Sequence, residues 1–283
     1  MLRRAGHAHL VQAPIIHYAS GMEVVVFWIA LLVLVLSYMT LWYGVALASK
    51  RYDVVDSAWG IGFVLVAWVS LALRSNFGSL QVVSAALVTL WGLRLFTHIA
   101  RRNWPKKEED HRYQELRNKW GRAEQRKAYT NIFLLQGLLL VAISTPMIAL
   151  AFTQHQADAL SYVGWAVWLF GIGFEAVADW QLATFITYRP KGSHDILDRG
   201  LWHFSRHPNY FGEVVTWWGA ALVAFSVGGW WGILGAVTIT ILITKVSGIP
   251  PLEKHYDGNK AYEAYRKRTS VLIPLPNRNT TQT

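Results

Sequence analysis

The sequence predicts an all-α, polytopic membrane protein of about seven transmembrane helices, N-terminus outside and C-terminus inside, ending in a cytosolic helix and tail. Three observations predict it. Of 283 residues 53% are hydrophobic and only 16% charged, with fifteen tryptophans, which is too apolar for a soluble domain of this size. Apolar runs near the roughly 20 residues that cross a bilayer recur at about 24–48, 54–73, 79–100, 131–153, 160–188, 210–227 and 229–250. The formal net charge of +10 is distributed unevenly. With those runs as spans, 22 basic residues fall on one side and Arg3, Arg4 and Arg74 on the other, leaving only Arg94 and Lys245 within spans.

The first run is long and lacks the small-residue exit of a secretory signal, so it reads as a retained helix. The second opens from "RYDVVDSAWG" and the third carries Arg94 and His98. Between the third and fourth, residues 101–130 mix basic residues with Glu108, Glu109, Asp110, Glu115 and Glu124. That mixture reads as a solvated amphipathic stretch facing lipid headgroups, and it argues against nucleic-acid binding. Helix stops are expected at Pro105, Pro190, Pro208 and the Pro250–Pro251 pair. The segment "YEAYRKRTSVLIPLP" reads as a last helix running into a Pro-interrupted tail, and residues 1–20 and 276–283 read as mobile ends. No composition shift, linker or repeat divides the chain, so residues 1–283 read as one membrane domain. Cysteine is absent, which excludes disulfides, thiolate catalysis and cysteine-ligated metals.

Ionisable side chains at mid-span cost about 2.5–3.5 kcal/mol each on insertion scales, so those retained face a partner or a cavity. In "GFEAVADWQLATF", Glu175 and Asp179 are four apart and share a helical face with Gln181 nearby. They suit a cation or a hydrogen-bonded ligand; pairing with Arg94 or Lys245 is the structural alternative. Asp53 reads as a helix-start acid and Asp56, three residues deeper, as the better site candidate. Arg94 and His98 share a face, with Arg94 deep enough for a role.

In "LWHFSRHPNYFGEVVTWWG", Arg206, His207, Asn209, Tyr210 and Glu213 stand at the cytosolic entrance of the sixth span, with Pro208 suited to its first turn. Arg, His and Asn at a positive helix end suit a phosphate-bearing or carboxylated cofactor tail, while Glu213 would take donors from an amide or hydroxyl. Interfacial anchoring accounts for Tyr210, Trp217 and Trp218 but not for five polar groups together. "GIGFEA" at 171–176 fits a dinucleotide glycine fingerprint formally, yet no strand precedes it, and small-residue helix packing is preferred. His203 and His207 have metal-ligand spacing, but Pro208 interrupts their helix and no histidine-rich boxes follow, so no metal site is expected. No Gly-x-Ser-x-Gly elbow occurs.

"DRGLWHFSRHPNYFGE" together with "EKHYDGNKAYEAYRKRTSVLIP" resembles the C-terminal half of the steroid 5-alpha-reductase superfamily, and residues 40–275 resemble its bacterial DUF1295 branch. The Arg-His-Pro-Asn-Tyr run is also similar to that of sterol C14-reductases. The resemblance implies a multi-helix membrane oxidoreductase that uses NADPH, with NADH as the alternative, to reduce an activated carbon–carbon double bond. It implies cofactor contacts at Asp179, Asn209 and Glu213 and places Arg206, His207 and Tyr210 in the shared motif; Glu175 stands where that family has an Asn. Lys254, Tyr256 and Tyr265 are carried over from the tail. Animal members polarise the steroid ketone with a Glu and a Tyr; Asp56 or Ser57 falls at the first position and Trp91, which cannot protonate a carbonyl oxygen, at the second. Arg94 matches a family Arg, whereas Arg189 and Lys191 are displaced candidates for the cofactor's adenine-side phosphate.

The expected function is therefore reduction of an enone- or isoprenoid-like substrate drawn from the bilayer, with Asp56 and Arg94 steadying the developing enolate. A membrane methyltransferase using S-adenosylmethionine is the alternative, because isoprenylcysteine and phospholipid methyltransferases carry a similar Arg-His-Pro-x-Tyr run beside a tail Glu, here Glu253. A transporter using Glu175, Asp179 and Arg94 as a charged pathway would leave the C-terminal motif unexplained.

Overall fold

The computed structural model describes residues 20–106, 108–190, 193 and 195–277; Lys191 and most of the predicted mobile ends lie outside them. The protein is all-helical, with 80% of residues in helix. The helices are α1 (Gly21–Ser49), α2 (Ala58–Leu73, led by a 3₁₀ turn Tyr52–Ser57), α3 (Ser79–Asn103), α4 (His111–Trp120), α5 (Glu124–Ala128), α6 (Leu135–Ile143) and α7 (Thr145–Ala151). They continue with α8 (Ala159–Tyr188), α9 (Leu201–Phe204), α10 (Pro208–Ser226), α11 (Ile233–Ile241), α12 (Ile249–His255) and α13 (Lys260–Arg268).

Five helical segments are long and apolar enough to cross a membrane: Gly21–Ser49, Tyr52–Leu73, Ser79–Asn103, Ala159–Tyr188 and Trp230–His255. A sixth arises if the pair broken by 53° before Thr145 counts as one span. The break falls where Pro146 enters the first turn of α7, since proline has no amide hydrogen to continue the ladder. The sixth expected span, α10, is helical over the expected residues but falls short of that apolarity, because Asn209, Tyr210, Gly212, Glu213 and Thr216 crowd its first half. The proline stops recur at the helix ends: α3 ends before Pro105, α8 before Pro190, and Pro208 opens α10. Pro250 and Pro251 do more than stop a helix, for they begin α12.

Periodicity explains the outer helix. On α1, Phe27, Leu31, Val35 and Met39 recur every fourth residue and are buried, whereas Val25, Val26, Ile29, Leu32 and Val33 are exposed apolar side chains that call for a lipid solvent. At the bundle centre α8 and α10 form the most extensive helix pair. Glycines make the approach close: a Cβ on Gly212 would lie 2.5 Å from the Glu175 amide nitrogen, and one on Gly219 2.5 Å from that of Trp168. Gly171, in "GIGFEA", abuts Thr216 and Gly212, so this glycine serves helix packing, while Gly173 faces open space. Gly60 and Gly92 bring α2 against α3 in the same way. These contacts carry the polar residues of α2, α3, α8 and α10 toward one another.

Candidate functional site

The α8–α10 approach sets the carboxylates of one helix beside the polar turn of the other. Arg94 of α3 reaches between them: Nη1 donates to Asp179 Oδ2 at 2.8 Å and Nη2 donates to Glu175 Oε1. Trp91 Nε1 donates to Glu175 Oε2 at 2.7 Å, and Asn209 Nδ2 donates to Asp179 Oδ1 at 3.2 Å. His98 Nδ1 lies 3.9 Å from the same Asp179 carboxylate. Glu175 and Asp179 are buried, so their charges need this compensation in a bundle of low dielectric. The pairing with Arg94 is therefore present, whereas Lys245 is exposed and takes no part. Beneath the network Phe63, Trp91 and Trp217 form an apolar floor, with Phe63 and Trp217 ring centres 4.7 Å apart.

Glu213 and Tyr210 stand differently. Glu213, half-buried one turn into α10, makes no hydrogen bond among the described residues, and its charged neighbours are Glu175, Arg94 and Asp179. Tyr210 likewise has no hydrogen-bond partner there; Glu213, Arg102, Arg112 and Asp179 are the charges around it, and its ring stacks on His207 at 5.7 Å. A carboxylate and a phenol are thus left with free hydrogen-bonding capacity beside a completed ion-pair network.

A second polar cluster gathers around Asp56. Tyr113 of α4 donates to Asp56 Oδ1 at 2.6 Å, and Arg112 Nη2 lies 3.5 Å from Asp56 Oδ2. Asp56 counts Arg102 and Arg112 among its charged neighbours, the two cations that also flank Tyr210. Asp53, by contrast, is buried, pairs with Arg51 Nη2 at 2.7 Å and accepts from the Asp110 amide, which ties α2 to the segment before α4.

The tail is fastened to the start of α10 by Arg206. Its Nε donates to Glu253 Oε1 at 2.8 Å, and its Nη1 donates to the carbonyls of Thr269 at 2.6 Å and Arg266 at 3.1 Å. The Arg206 amide donates to the Ser270 carbonyl at 2.8 Å, within a short parallel bridge between Ser205 and Ser270. His207 Nε2 lies 3.3 Å and the Tyr262 hydroxyl 3.4 Å from the same Glu253 oxygen. Burial, with the Glu253 charge adding to it, pushes the Tyr262 hydroxyl up to about 12. Burial raises Tyr265 too, so both remain proton donors at neutral pH, and Tyr265 donates to the carbonyls of Trp202 and Ser205. Tyr256 stacks on Tyr262 at 4.5 Å, and Lys254 is exposed.

The sequence-derived residues thus sort into three groups. Glu175, Asp179, Asn209, Tyr210, Glu213 and Arg94 converge; Asp56 is bound up with Tyr113 and Arg112; Arg206, His207, Tyr256 and Tyr265 are engaged in holding the tail. Tyr113 escaped sequence reasoning because it sits in a run of charges. The signal was present, since Tyr113, Leu116 and Trp120 fall on one face of α4 and all three turn toward the core. The Trp91 indole was weighed only as a failed acid, whereas its N–H secures Glu175.

Long apolar helices around a buried polar network define an integral, multi-pass helical membrane protein with a candidate site inside the bundle. The DUF1295 family, described as a protein of unknown function, matches residues 42–269, and the chain belongs to it. An uncharacterized protein of Schizosaccharomyces pombe is 26% identical over 227 residues, covering 68% of this chain and 66% of that protein. The 3-oxo-5-alpha-steroid 4-dehydrogenase 1 of Bos taurus is 30% identical over 119 residues, 42% of this chain and 43% of that enzyme. The enzyme of the same name from Rattus norvegicus is 30% identical over 112 residues, 40% of each chain. The chain thus spans just under two thirds of the first relative and less than half of the two dehydrogenases. No solved structure matches.

Proposed function

We propose that this protein is a membrane-embedded reductase that transfers hydride from a nicotinamide dinucleotide, NADPH in the first instance, to an activated carbon–carbon double bond of a lipophilic substrate. One observation carries the reading: Asp179, Asn209 and Glu213, from two helices held by glycine contact, converge beside Arg94, and Glu213 and Tyr210 have no hydrogen-bond partner among the described residues. The residues fit the group. A carboxylate acceptor and a phenol donor side by side match a nicotinamide carboxamide, and Asp179 adds acceptor capacity for a ribose hydroxyl. When bound, the dihydronicotinamide supplies hydride.

The chain's own groups would do the rest. Glu213 and Tyr210 hold the carboxamide and so fix which ring face is presented; Asn209 and Asp179 orient the adjoining sugar. Arg94 holds the two buried carboxyl groups in place by donating to both, and the Phe63–Trp91–Trp217 floor excludes water from the transfer. Asp56 steadies the developing enolate by way of a shared proton. The partial likeness to two 3-oxo-5-alpha-steroid 4-dehydrogenases supports the reaction class. The gathering of basic residues on one side of the spans supports a cofactor site facing the cytoplasm, with substrate entering from the lipid.

The competing S-adenosylmethionine reading calls on Arg206 for a carboxylate, on Glu213 for an amine and on Glu253 in the tail; of these, Arg206 and Glu253 pair with one another at 2.7 Å. The test uses protein purified in mild detergent. NADPH at a hundredfold its Kd stabilises a single site by about 2.7 kcal/mol, a shift of several degrees in unfolding temperature that Asn209→Ala abolishes. Stabilisation by S-adenosylmethionine and not by NADPH selects the methyltransferase instead.

A further inference from the structure

We infer that the cleft behind the last turns of α8 binds an anionic glycerophospholipid, its phosphate held by Arg189 and Arg199 and its acyl chains running down the outer face of the helix. The inference stands apart from the reductase reading. A cavity of about 450 Å³ opens there, within the roughly 300–1,000 Å³ of small-molecule sites. Its α8 wall is Trp180, Gln181, Thr184, Phe185 and Tyr188. At about 100° per residue these five centre roughly 170° round the helix from Glu175 and Asp179. The cleft is therefore behind the helix whose front carries the ion-pair network. Arg189, a displaced candidate by resemblance for the cofactor's phosphate, lines this outer side.

The opposite wall is the chain returning from α8 toward α9, and it is pinned to α8 at both ends. The Arg189 amide donates to the Phe185 carbonyl at 2.9 Å. At the far end the Leu201 amide donates to Gln181 Oε1 at 2.9 Å, and the Trp202 indole donates to the Ala178 carbonyl at 3.1 Å. Gly200 permits that second contact: its φ of 63° lies in the left-handed region, and a Cβ there would fall 2.6 Å from Gln181 Nε2. Gln181 is thus spent on holding the chain, while Leu197, which is buried, adds apolar lining.

Polarity changes along the cleft in the order an amphiphile needs. Trp180 stands about 12 Å deeper along the axis than Tyr188, and the two are 66% and 82% exposed, as aromatic side chains at a membrane interface are. The 30 residues of α8 span about 45 Å against a hydrocarbon core of about 30 Å, so an end projects to the headgroups, and Arg189 and Arg199 mark which. The Arg189 guanidinium lies 5.8 Å from the Phe185 ring centre, which holds it over the cleft wall. Among the described residues neither arginine is ion-paired, Asp198 beside Arg199 being taken by Arg268. Asp195 is the one acid among the lining residues. Two guanidiniums against one carboxylate leave a single positive charge, which matches a phosphodiester, and the Asp195 carboxylate can accept from the hydroxyls of a glycerol headgroup. A zwitterionic choline lipid brings no net charge to meet it.

The test titrates the delipidated, detergent-purified full chain with dioleoylphosphatidylglycerol or dioleoylphosphatidylcholine and reads the first bound lipid by native mass spectrometry. Phosphatidylglycerol binds more tightly by at least about tenfold. Arg189→Gln combined with Arg199→Gln weakens it by about 25-fold, about fivefold for each basic group beside an anionic lipid. Arg122→Gln combined with Arg126→Gln, an exposed basic pair outside the cleft, changes it by less than about threefold. Thr184→Trp keeps both cleft arginines but fills the space between the walls, and it weakens phosphatidylglycerol by at least about tenfold. Equal affinity for the two lipids, an equal loss in the two arginine pairs, or undiminished binding by Thr184→Trp overturns the site. Displacement of bound phosphatidylglycerol by millimolar inorganic phosphate overturns the lipid assignment in favour of a free anion, and displacement by NADPH gives the cleft to the cofactor's phosphate instead.

Discussion

Replacing Arg94 by Met tests the central network. The guanidinium donates to Glu175 and Asp179, whose side chains are 4% and 9% exposed, and among the described residues no other cation contacts either carboxylate except His98 at 3.9 Å. Arg94→Met leaves Glu175 with the Trp91 N–H and Asp179 with the Asn209 amide, so two charges on one helical face lose their compensation. Breaking a buried pair by removing one partner costs about 3–5 kcal/mol. At about 2–4 °C per kcal/mol for a chain of this size class, the unfolding temperature falls by roughly 6–20 °C. The triple variant Arg94→Met, Glu175→Gln, Asp179→Asn removes all three charges and recovers most of the loss, because neutral amides carry a far smaller desolvation penalty than unpaired ions. Thermal unfolding in detergent, followed by monodispersity after heating, measures both. A fall of less than about 3 °C for Arg94→Met, or a triple variant no better than the single one, refutes the claim that ion compensation holds this site.

Two further perturbations probe the frame. Gly212→Ala places a Cβ 2.5 Å from the Glu175 amide nitrogen and forces α8 and α10 apart, costing about 1–3 kcal/mol and weakening NADPH stabilisation, whereas Gly173→Ala meets nothing within 4 Å and is neutral or mildly stabilising. The two melting curves, with and without NADPH, distinguish close packing from a general intolerance of Ala in α8 and α10. Glu253→Gln removes the charge that Arg206 and His207 share, so the tail after α12 loosens; limited proteolysis then cuts between residues 256 and 277 faster than in the parent, by about tenfold for each 1.4 kcal/mol lost locally.

Most of the helices and much of the candidate site were legible from residue types and spacing. The four-residue step from Glu175 to Asp179 puts both on one face, and the Pro208 start of α10 leaves Asn209 and Glu213 pointing from its first turns. The seven-span expectation is weaker at α10, since its site residues reduce the apolarity that span reading depends on. Arg206 and His207 read as ligand groups because five polar residues stood together; in the fold they face the tail, which returns from 45–65 positions later in the chain to meet them.

By itself the sequence determined that the chain is apolar enough to need a bilayer, where most of its long helices begin and end, and which ionisable residues the membrane segments carry. These are local quantities, set by residue hydrophobicity and by proline and glycine at particular positions. Only the tertiary structure decided which charge answers which, that Arg94 bridges Glu175 and Asp179, that Glu213 and Tyr210 find no partner among the described residues, and that Tyr113 folds down onto Asp56 from 57 residues away. Pairing of this kind depends on the close approach that Gly171, Gly212, Gly60 and Gly92 allow between helices, and helical periodicity carries no information about which faces will meet.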